Sequence, residues 1–135
     1  MYKIDKKFHV PTGHRLSKHA GRCKNIHGHN LTVHIGIKSR ELNDNDMVMD
    51  FSELKALVNE SLDLWDHCLL LNKEDEELAN VCSDMRLMTF PFDPTAERLS
   101  HVLFFSIQQR LPRGIYMDYV TIFENENSKA TYTEE

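Results

Sequence analysis

The stretch from His27 to Ile37 constrains the fold more than any other part of this sequence. From Leu31 onwards, apolar side chains recur at every second position, the pattern typical of a β-strand with one buried face. Side chains two residues apart on a strand point to the same side, so His27 and His29 should face the core together with Leu31 and Val33. The sequence therefore predicts a strand that carries two imidazoles on its buried face.

Two imidazoles on one face, separated by the small Gly28, suit a divalent metal ion, most naturally zinc. A third histidine, His14, lies upstream, and three imidazoles with one open position form a ligand set found in catalytic zinc sites. The alternative is a set of core histidines that hydrogen-bond to backbone groups. The pattern thus indicates a candidate zinc site of His14, His27 and His29.

Composition and charge narrow the classes of function. The chain of 135 residues has a formal net charge of -5, which argues against general binding to nucleic acid or to a membrane surface. It has no run of about 18 apolar residues and no apolar leader after Met1. Its 3 cysteines, an odd number, argue against a disulfide framework. We expect one cytoplasmic domain over residues 1–135 that binds neither nucleic acid nor membranes.

Four segments show the pattern of strands. The first covers residues 2–10 and is predicted to end at Pro11, and the second covers residues 27–38. Two more are predicted towards the carboxyl end, at residues 115–124 and 129–132. In chain order the strands form two pairs, with a helical region between them.

The middle of the chain shows helical spacing. One helix is predicted to begin after Asp50, a good N-cap residue, and a second after Asp93 or Thr95. The buried face of the first helix is predicted to contain Phe51, Leu54, Leu57, Val58, Leu62 and Trp65. The order ββααββ predicts an α+β fold with two helices on one face of an antiparallel sheet.

Four further residues have chemistry that core packing does not require. A thiol beside a divalent cation ionises readily, so Cys23 could be a nucleophile, a general base, a fourth metal ligand or an ordinary half-buried thiol. The adjacent Asp66 and His67 could form an oriented acid–base pair, although such pairs also arise by chance. Glu124 shares the buried face of the strand at 115–124. It either needs a partner there, such as the N–H edge of an aminopyrimidine, or is exposed at the end of the strand.

These residues together resemble the 6-pyruvoyl-tetrahydropterin synthase superfamily. Four motifs in the family's order carry the resemblance: Cys23-x3-His27-Gly28-His29, Asp66-His67, Pro94-Thr95-Ala96-Glu97 and Val120-x-Ile122-x-Glu124. The three residues between the cysteine and the first histidine of its motif resemble the spacing in the 6-carboxy-tetrahydropterin synthases of queuosine biosynthesis. The landmarks extend over nearly the whole chain.

The resemblance implies a fold, an assembly and a reaction. Members adopt the tunnelling fold, or T-fold, in which ββααββ subunits join their sheets into a barrel of trimers, commonly stacked as a homohexamer. By similarity the substrate is 7,8-dihydroneopterin triphosphate, and the products are 6-carboxy-5,6,7,8-tetrahydropterin, acetaldehyde and triphosphate. The resemblance therefore implies a carbon–carbon lyase with zinc as its cofactor.

The resemblance also implies roles for individual residues. The three metal ligands would be His14, His27 and His29. The Cys23 thiolate would remove the C1′ proton of the substrate, and Asp66 and His67 would relay protons, in this family in some cases from a different subunit. The pterin-binding residues would be Glu124, Thr95 and Glu97.

Three rival functions differ in class. A pyruvoyl-type synthase would eliminate triphosphate without breaking the carbon–carbon bond, and the spacing before His27 disfavours it. A zinc-bearing binding module would need neither Cys23 nor the Asp66–His67 pair. A hydrolase with a cysteine nucleophile would have no use for two histidines on one strand.

Overall fold

The computed structural model describes residues 1–135, and its sheet is built around one long hairpin. Strand β1 (Tyr2–His14) pairs antiparallel with β2 (His27–Ser39) along its whole length. The register runs from Tyr2 opposite Ser39 to His14 opposite His27. The end of this hairpin next to the β1–β2 loop therefore holds two of the three predicted metal ligands side by side.

The other elements follow in chain order. The helices are α1 (Phe51–Leu62), α2 (Glu76–Val81) and α3 (Ala96–Gln108). The remaining strands are β3 (Leu69–Asn72), β4 (Leu87–Phe90), β5 (Ile115–Asn125) and β6 (Ser128–Tyr132). A single 3-10 turn at Arg22–Lys24 lies in the loop between β1 and β2.

The strands form one sheet of six in the order β4-β3-β1-β2-β5-β6. Strand β2 pairs antiparallel with β5, and β5 with β6. Strand β3 runs parallel to the end of β1 and β4 runs parallel to β3, so the sheet is mixed where the sequence pattern predicts an antiparallel one. The α+β class is confirmed. Strands β3 and β4 escape a pattern-based prediction because segments of four residues show no clear period.

The prediction that the first strand ends at Pro11 is wrong, since β1 continues to His14. The carbonyl of Pro11 accepts a hydrogen bond from the His67 amide at 2.8 Å, on the edge of β1 that faces away from β2. The N and C=O of one strand residue point to the same side, so the N–H that proline lacks would not have paired with β2. The proline therefore leaves the hairpin ladder intact.

The core lies between the sheet and the helices α1 and α3. The alternation predicted for β2 is confirmed, because Val33 and Ile35 are fully buried and pack in one cluster with Leu54 of α1 and Leu103 of α3. The prediction for Phe51 is wrong: its side chain is 52% exposed. As the first residue of α1, Phe51 lies beyond the packed turns of the helix. None of the helices has the length and apolar character needed to cross a membrane.

Candidate metal centre and active site

The three predicted ligands meet at the loop end of the β1–β2 hairpin. One ligand nitrogen from each of His14, His27 and His29 lies within 4.8 Å of the other two. Their ring centroids are 4.5 to 5.0 Å apart. Strand pairing places His14 opposite His27, and His29 follows on the same face of β2. The structure thus brings together residues from two strands as the sequence predicts.

Backbone carbonyls orient two of the imidazoles. His14 donates from Nδ1 to the Pro94 carbonyl at 2.8 Å, and His27 donates from Nδ1 to the Asn25 carbonyl at 2.7 Å. Because a carbonyl only accepts, both Nδ1 atoms carry the proton and both Nε2 atoms of the neutral rings present a lone pair. Metal-ligating histidines are commonly oriented in this way.

The lone pairs converge on one point. The Nε2 atoms of His14 and His27 are 2.9 Å apart, and the Nε2 of His29 is buried without a hydrogen-bond partner. Burial lowers the pKa of His14, and the nearby His27 and His29 lower it further, against the opposing effects of the Pro94 hydrogen bond and Glu124. A neutral His14 keeps its lone pair available. Three converging imidazole nitrogens fit a divalent cation such as zinc.

Cys23 lies in the 3-10 turn of the β1–β2 loop and is half-buried. Its carbonyl accepts a hydrogen bond from the Leu16 amide at 2.8 Å, which closes the loop across its base. The Cys23 sulfur is not part of the histidine cluster, so the structure does not support its use as a fourth ligand.

Asp66 and His67 form the oriented pair that their adjacency indicates. Asp66 Oδ1 accepts from His67 Nδ1 at 2.8 Å, and the two side chains are 48% and 78% exposed. His67 has a φ of 53°, a left-handed conformation that is strained for a residue with a side chain. His67 lines an open groove of about 670 Å³ together with His27 and His29.

Glu124 lies near the end of β5 and is half-buried. The β5–β6 register shifts between Phe123 and Asn125, so Glu124 sits in a β-bulge, a device that redirects side chains beside functional sites. Glu124 and Glu97 line the same shallow pocket of about 300 Å³. The negative charge of the Glu124 carboxylate acts on His14 and favours its protonated form, which raises the pKa of that imidazole against the effect of burial.

The sequence left open whether Asp93 or Thr95 caps α3, and the structure assigns this role to Thr95. Its hydroxyl accepts from the Arg98 amide at 3.1 Å, so Thr95 rather than Asp93 is the N-cap of α3. The same hydroxyl can still donate a hydrogen bond to a ligand. Glu97 lies in the first turn of α3 and is exposed.

Sequence reasoning missed the residues that orient the ligands. The carbonyls of Asn25 and Pro94 belong to segments far apart in the chain, and a carbonyl has no signature in a sequence. It also missed Asp93, whose carboxylate accepts hydrogen bonds from two other segments. Pro94 belongs to the Pro94-Thr95-Ala96-Glu97 motif and Asp93 directly precedes it, so this motif is the one signal that could have pointed to both.

The sheet with helices on one face and a histidine triad at the end of its central hairpin define a T-fold protein with a candidate metal site. Solved structures agree in fold. A 6-pyruvoyl tetrahydropterin synthase from Caenorhabditis elegans superposes with a TM-score of 0.73 at 22% identity, over 99% of this chain and 96% of that one. An uncharacterised protein from Wolinella succinogenes reaches 0.85 at 21% identity, over 99% and 98%.

The family model described as 6-pyruvoyl tetrahydropterin synthase matches residues 3–135, and this chain belongs to that family. A relative from Aquifex aeolicus is 26% identical over 160 residues and 99% of both chains, and one from Haemophilus influenzae is 33% identical over 113 residues, 77% of this chain and 80% of its own. Both are named 6-carboxy-5,6,7,8-tetrahydropterin synthase. The resemblance and the T-fold predicted from the sequence are confirmed, and the protein is an enzyme, a pterin synthase.

Proposed function

We propose that this protein is a zinc-dependent 6-carboxy-5,6,7,8-tetrahydropterin synthase. It converts 7,8-dihydroneopterin triphosphate and water into 6-carboxy-5,6,7,8-tetrahydropterin, acetaldehyde and triphosphate, in queuosine or a related 7-deazapurine pathway of the cytoplasm. The observation that carries the proposal is the convergence of three imidazole nitrogens at the loop end of the hairpin. The names of the relatives from Aquifex aeolicus and Haemophilus influenzae support the reaction.

His14, His27 and His29 would hold the metal, with the first two oriented by backbone carbonyls. Zinc, when bound there, supplies a Lewis acid that acidifies the side-chain hydroxyls at C1′ and C2′ of the substrate. Bulk water has little access to His14, which is 3% exposed, and this strengthens electrostatic interactions at that ligand.

Three residues of the chain would move protons. The Cys23 thiolate, on the loop that joins the two ligand-bearing strands, would take the C1′ proton. His67, held through Nδ1 by Asp66, would present Nε2 to the groups that gain or lose protons as triphosphate leaves and the C1′–C2′ bond breaks. The high exposure of His67 suits a residue that acts on substrate in a neighbouring subunit.

Glu124 would select the pterin. Its two carboxylate oxygens can accept from the amino group and the ring N–H of an aminopyrimidine in a bidentate, charge-assisted pair. Glu97 lines the same pocket, and Thr95 has a hydroxyl hydrogen to donate. We assign both as secondary contacts to the pterin.

We propose that residues 1–135 form one domain and that six copies assemble as a dimer of trimers. The outer edge of β1 is paired with β3 only at Gly13 and His14, and the outer edge of β6 is unpaired. Free edges of this length are normally covered in natural proteins, and pairing between copies would cover both.

Product analysis tests the proposed reaction. The zinc-loaded protein is incubated with 7,8-dihydroneopterin triphosphate, and acetaldehyde and the pterin product are identified by chromatography and mass spectrometry. Release of acetaldehyde in equal amount to the carboxylated pterin is the expected result. Release of triphosphate without acetaldehyde would instead identify a pyruvoyl-type synthase, and unchanged substrate would contradict both activities.

A further inference from the structure

Asp93 joins three segments of the chain that surround the candidate active site. Its carboxylate accepts from the Ser17 hydroxyl at 2.6 Å, from the Lys18 amide at 2.9 Å and from the Asn72 side-chain amide at 3.1 Å. Burial opposes ionisation of this carboxyl, but these hydrogen bonds outweigh it and hold its pKa below the usual value. Since Thr95 caps α3, Asp93 is not needed for the helix.

The side-chain amide of Asn72 has a defined orientation towards Asp93. Asn72 lies at the end of β3 and is only 1% exposed. Its Oδ1 accepts from the Glu74 amide at 3.0 Å, so its NH₂ group must be the side that faces Asp93. Because both the oxygen and the NH₂ group of this buried amide are hydrogen-bonded, Asn72 is held rigidly and fixes the position of the Asp93 carboxylate.

The other side of the arrangement holds the Cys23 loop. The Ser17 hydroxyl and the Lys18 backbone amide both donate hydrogen bonds to the Asp93 carboxylate. Next to them, the Leu16 amide donates to the Cys23 carbonyl at 2.8 Å. The other hydrogen bonds of residues 16–23, such as Gly21 to His19, stay within the loop. Beyond the turn, the Asn25 carbonyl accepts from His27 at the start of β2, so Asp93 is the contact that ties residues 16–23 to the elements beyond the hairpin.

The residue after Asp93 completes the connection, because the Pro94 carbonyl accepts from Nδ1 of His14. Of these two consecutive residues, Asp93 therefore contacts the loop that carries Cys23, and Pro94 contacts the proposed metal ligand His14. We propose that Asp93 is a positioning residue that sets the Cys23 loop relative to the histidine triad. Its effect on turnover rests on the function proposed above, whereas its effect on the loop does not.

The test is amide hydrogen exchange followed by mass spectrometry on the zinc-loaded, full-length protein. In Asp93→Asn one acceptor oxygen becomes an NH₂ group that faces hydrogen-bond donors. Hydrogen bonds that hold the Cys23 loop to residue 93 should therefore be lost. Peptides covering residues 16–23 should exchange roughly tenfold faster or more, while peptides of β2 and α1 stay unchanged. Zinc content should remain as in the wild type, and kcat should fall by roughly tenfold or more because the base is displaced.

Matched variants sharpen the result. Ser17→Ala removes one of the three hydrogen bonds and should give an intermediate acceleration, whereas Ser17→Thr keeps the hydroxyl and should restore slow exchange. Asp75→Asn alters the ion pair with Arg15, whose closest atoms are 3.8 Å apart, and should leave residues 16–23 near the wild-type rate.

Unchanged exchange at residues 16–23 in Asp93→Asn would overturn the proposal, and so would acceleration spread over the whole chain, since that indicates general destabilisation. If Asp93→Asn does not fold, Ser17→Ala against Ser17→Thr decides in the same way. A wild-type protein without turnover would contradict the proposed function alone, because the exchange measurement does not depend on the reaction.

Discussion

At the scale of single residues, the imidazole tautomers carry most of the functional argument. The carbonyls of Pro94 and Asn25 hold protons on Nδ1 of His14 and His27, so two Nε2 lone pairs face each other at 2.9 Å. Facing lone pairs repel unless a cation or a proton lies between them, and burial lowers the pKa of His14, which disfavours the proton. A metal ion bound between the two nitrogens would remove the repulsion.

The first prediction concerns this ligand set. We expect the purified protein to bind one zinc per chain, and His27→Ala or His29→Ala to lose most of it, because three ligands leave no redundancy. Metal content is measured by inductively coupled plasma mass spectrometry after dialysis. The control variants replace histidines outside the cluster: His9, His19, His34 and His101. Full zinc content in His29→Ala would show that the ligands are different.

The second prediction separates Cys23 from the other thiols. Cys23→Ala should keep zinc and fold but lose turnover by roughly a hundredfold or more, the loss usual for a missing general base. Cys68 and Cys82 are buried, and their replacement by alanine should leave kcat nearly unchanged. Equal losses of kcat in all three variants would show that the effect is not specific to Cys23.

The third prediction assigns Glu124 to recognition. In Glu124→Gln one acceptor becomes a donor that faces a donor of the pterin, and unpaired polar groups cost about 1–3 kcal/mol. Pterin affinity, measured by calorimetric titration, should therefore weaken roughly tenfold, with zinc content unchanged. Unaltered affinity, or zinc lost with the carboxylate, would place the pterin elsewhere.

At the scale of elements, strands β2 and β5 pack closely against each other at one glycine. A methyl group on Gly36 of β2 would lie 2.3 Å from the ring of Tyr119 on the neighbouring β5. Tyr119 packs directly over this glycine and is partly buried. The side chain of Tyr119 would have to leave its position to make room.

The fourth prediction follows from this contact. Gly36→Ala should lower the free energy of unfolding by about 1–3 kcal/mol, the usual range for overpacking. Gly28→Ala is the matched control on the same strand, because its methyl group would meet the nearest atom, the Thr12 carbonyl oxygen, at an ordinary 3.5 Å. Urea denaturation followed by circular dichroism compares the two variants. Equal stability of both would mean that Tyr119 moves away without loss.

At the scale of the whole molecule, the exposure of the Asp66–His67 pair and the free edges of the sheet both support the assembly proposed above. The Asp66–His67 pair projects outwards, while the histidine triad is partly buried. An assembly that pairs the edges of β1 and β6 would also bring surfaces of different copies together. A site shared between subunits is consistent with both observations.

The fifth prediction tests such sharing by mixing subunits. Cys23→Ala and His67→Ala proteins should each be inactive, and co-refolding them in equal amounts should restore about one site in four if the two residues act from different copies. Light scattering should show six times the mass of one chain for the wild type. Activity that stays absent after mixing, in particles of the correct mass, would place both residues in one subunit.

The sequence predicted the elements that depend on local geometry. Alternation along β2 was sufficient to place His27 and His29 on the buried side, because side-chain direction in a strand follows from the backbone. Helices α1 and α3 follow from apolar spacing and from their N-cap residues, Asp50 and Thr95. The Pro11 prediction failed because a proline interrupts a strand only where its missing N–H would have faced the partner.

Tertiary structure alone decided which distant groups meet. Three contacts join segments more than 50 residues apart: the pairing of β3 with β1, the hydrogen bond from His14 to the Pro94 carbonyl, and the hydrogen bond from Ser17 of the Cys23 loop to the Asp93 carboxylate. Such contacts arise when the whole chain packs, and they leave no periodic trace in any one segment. Residue types and spacing therefore determined which chemistry this protein has available, while packing determined how its groups are oriented and held.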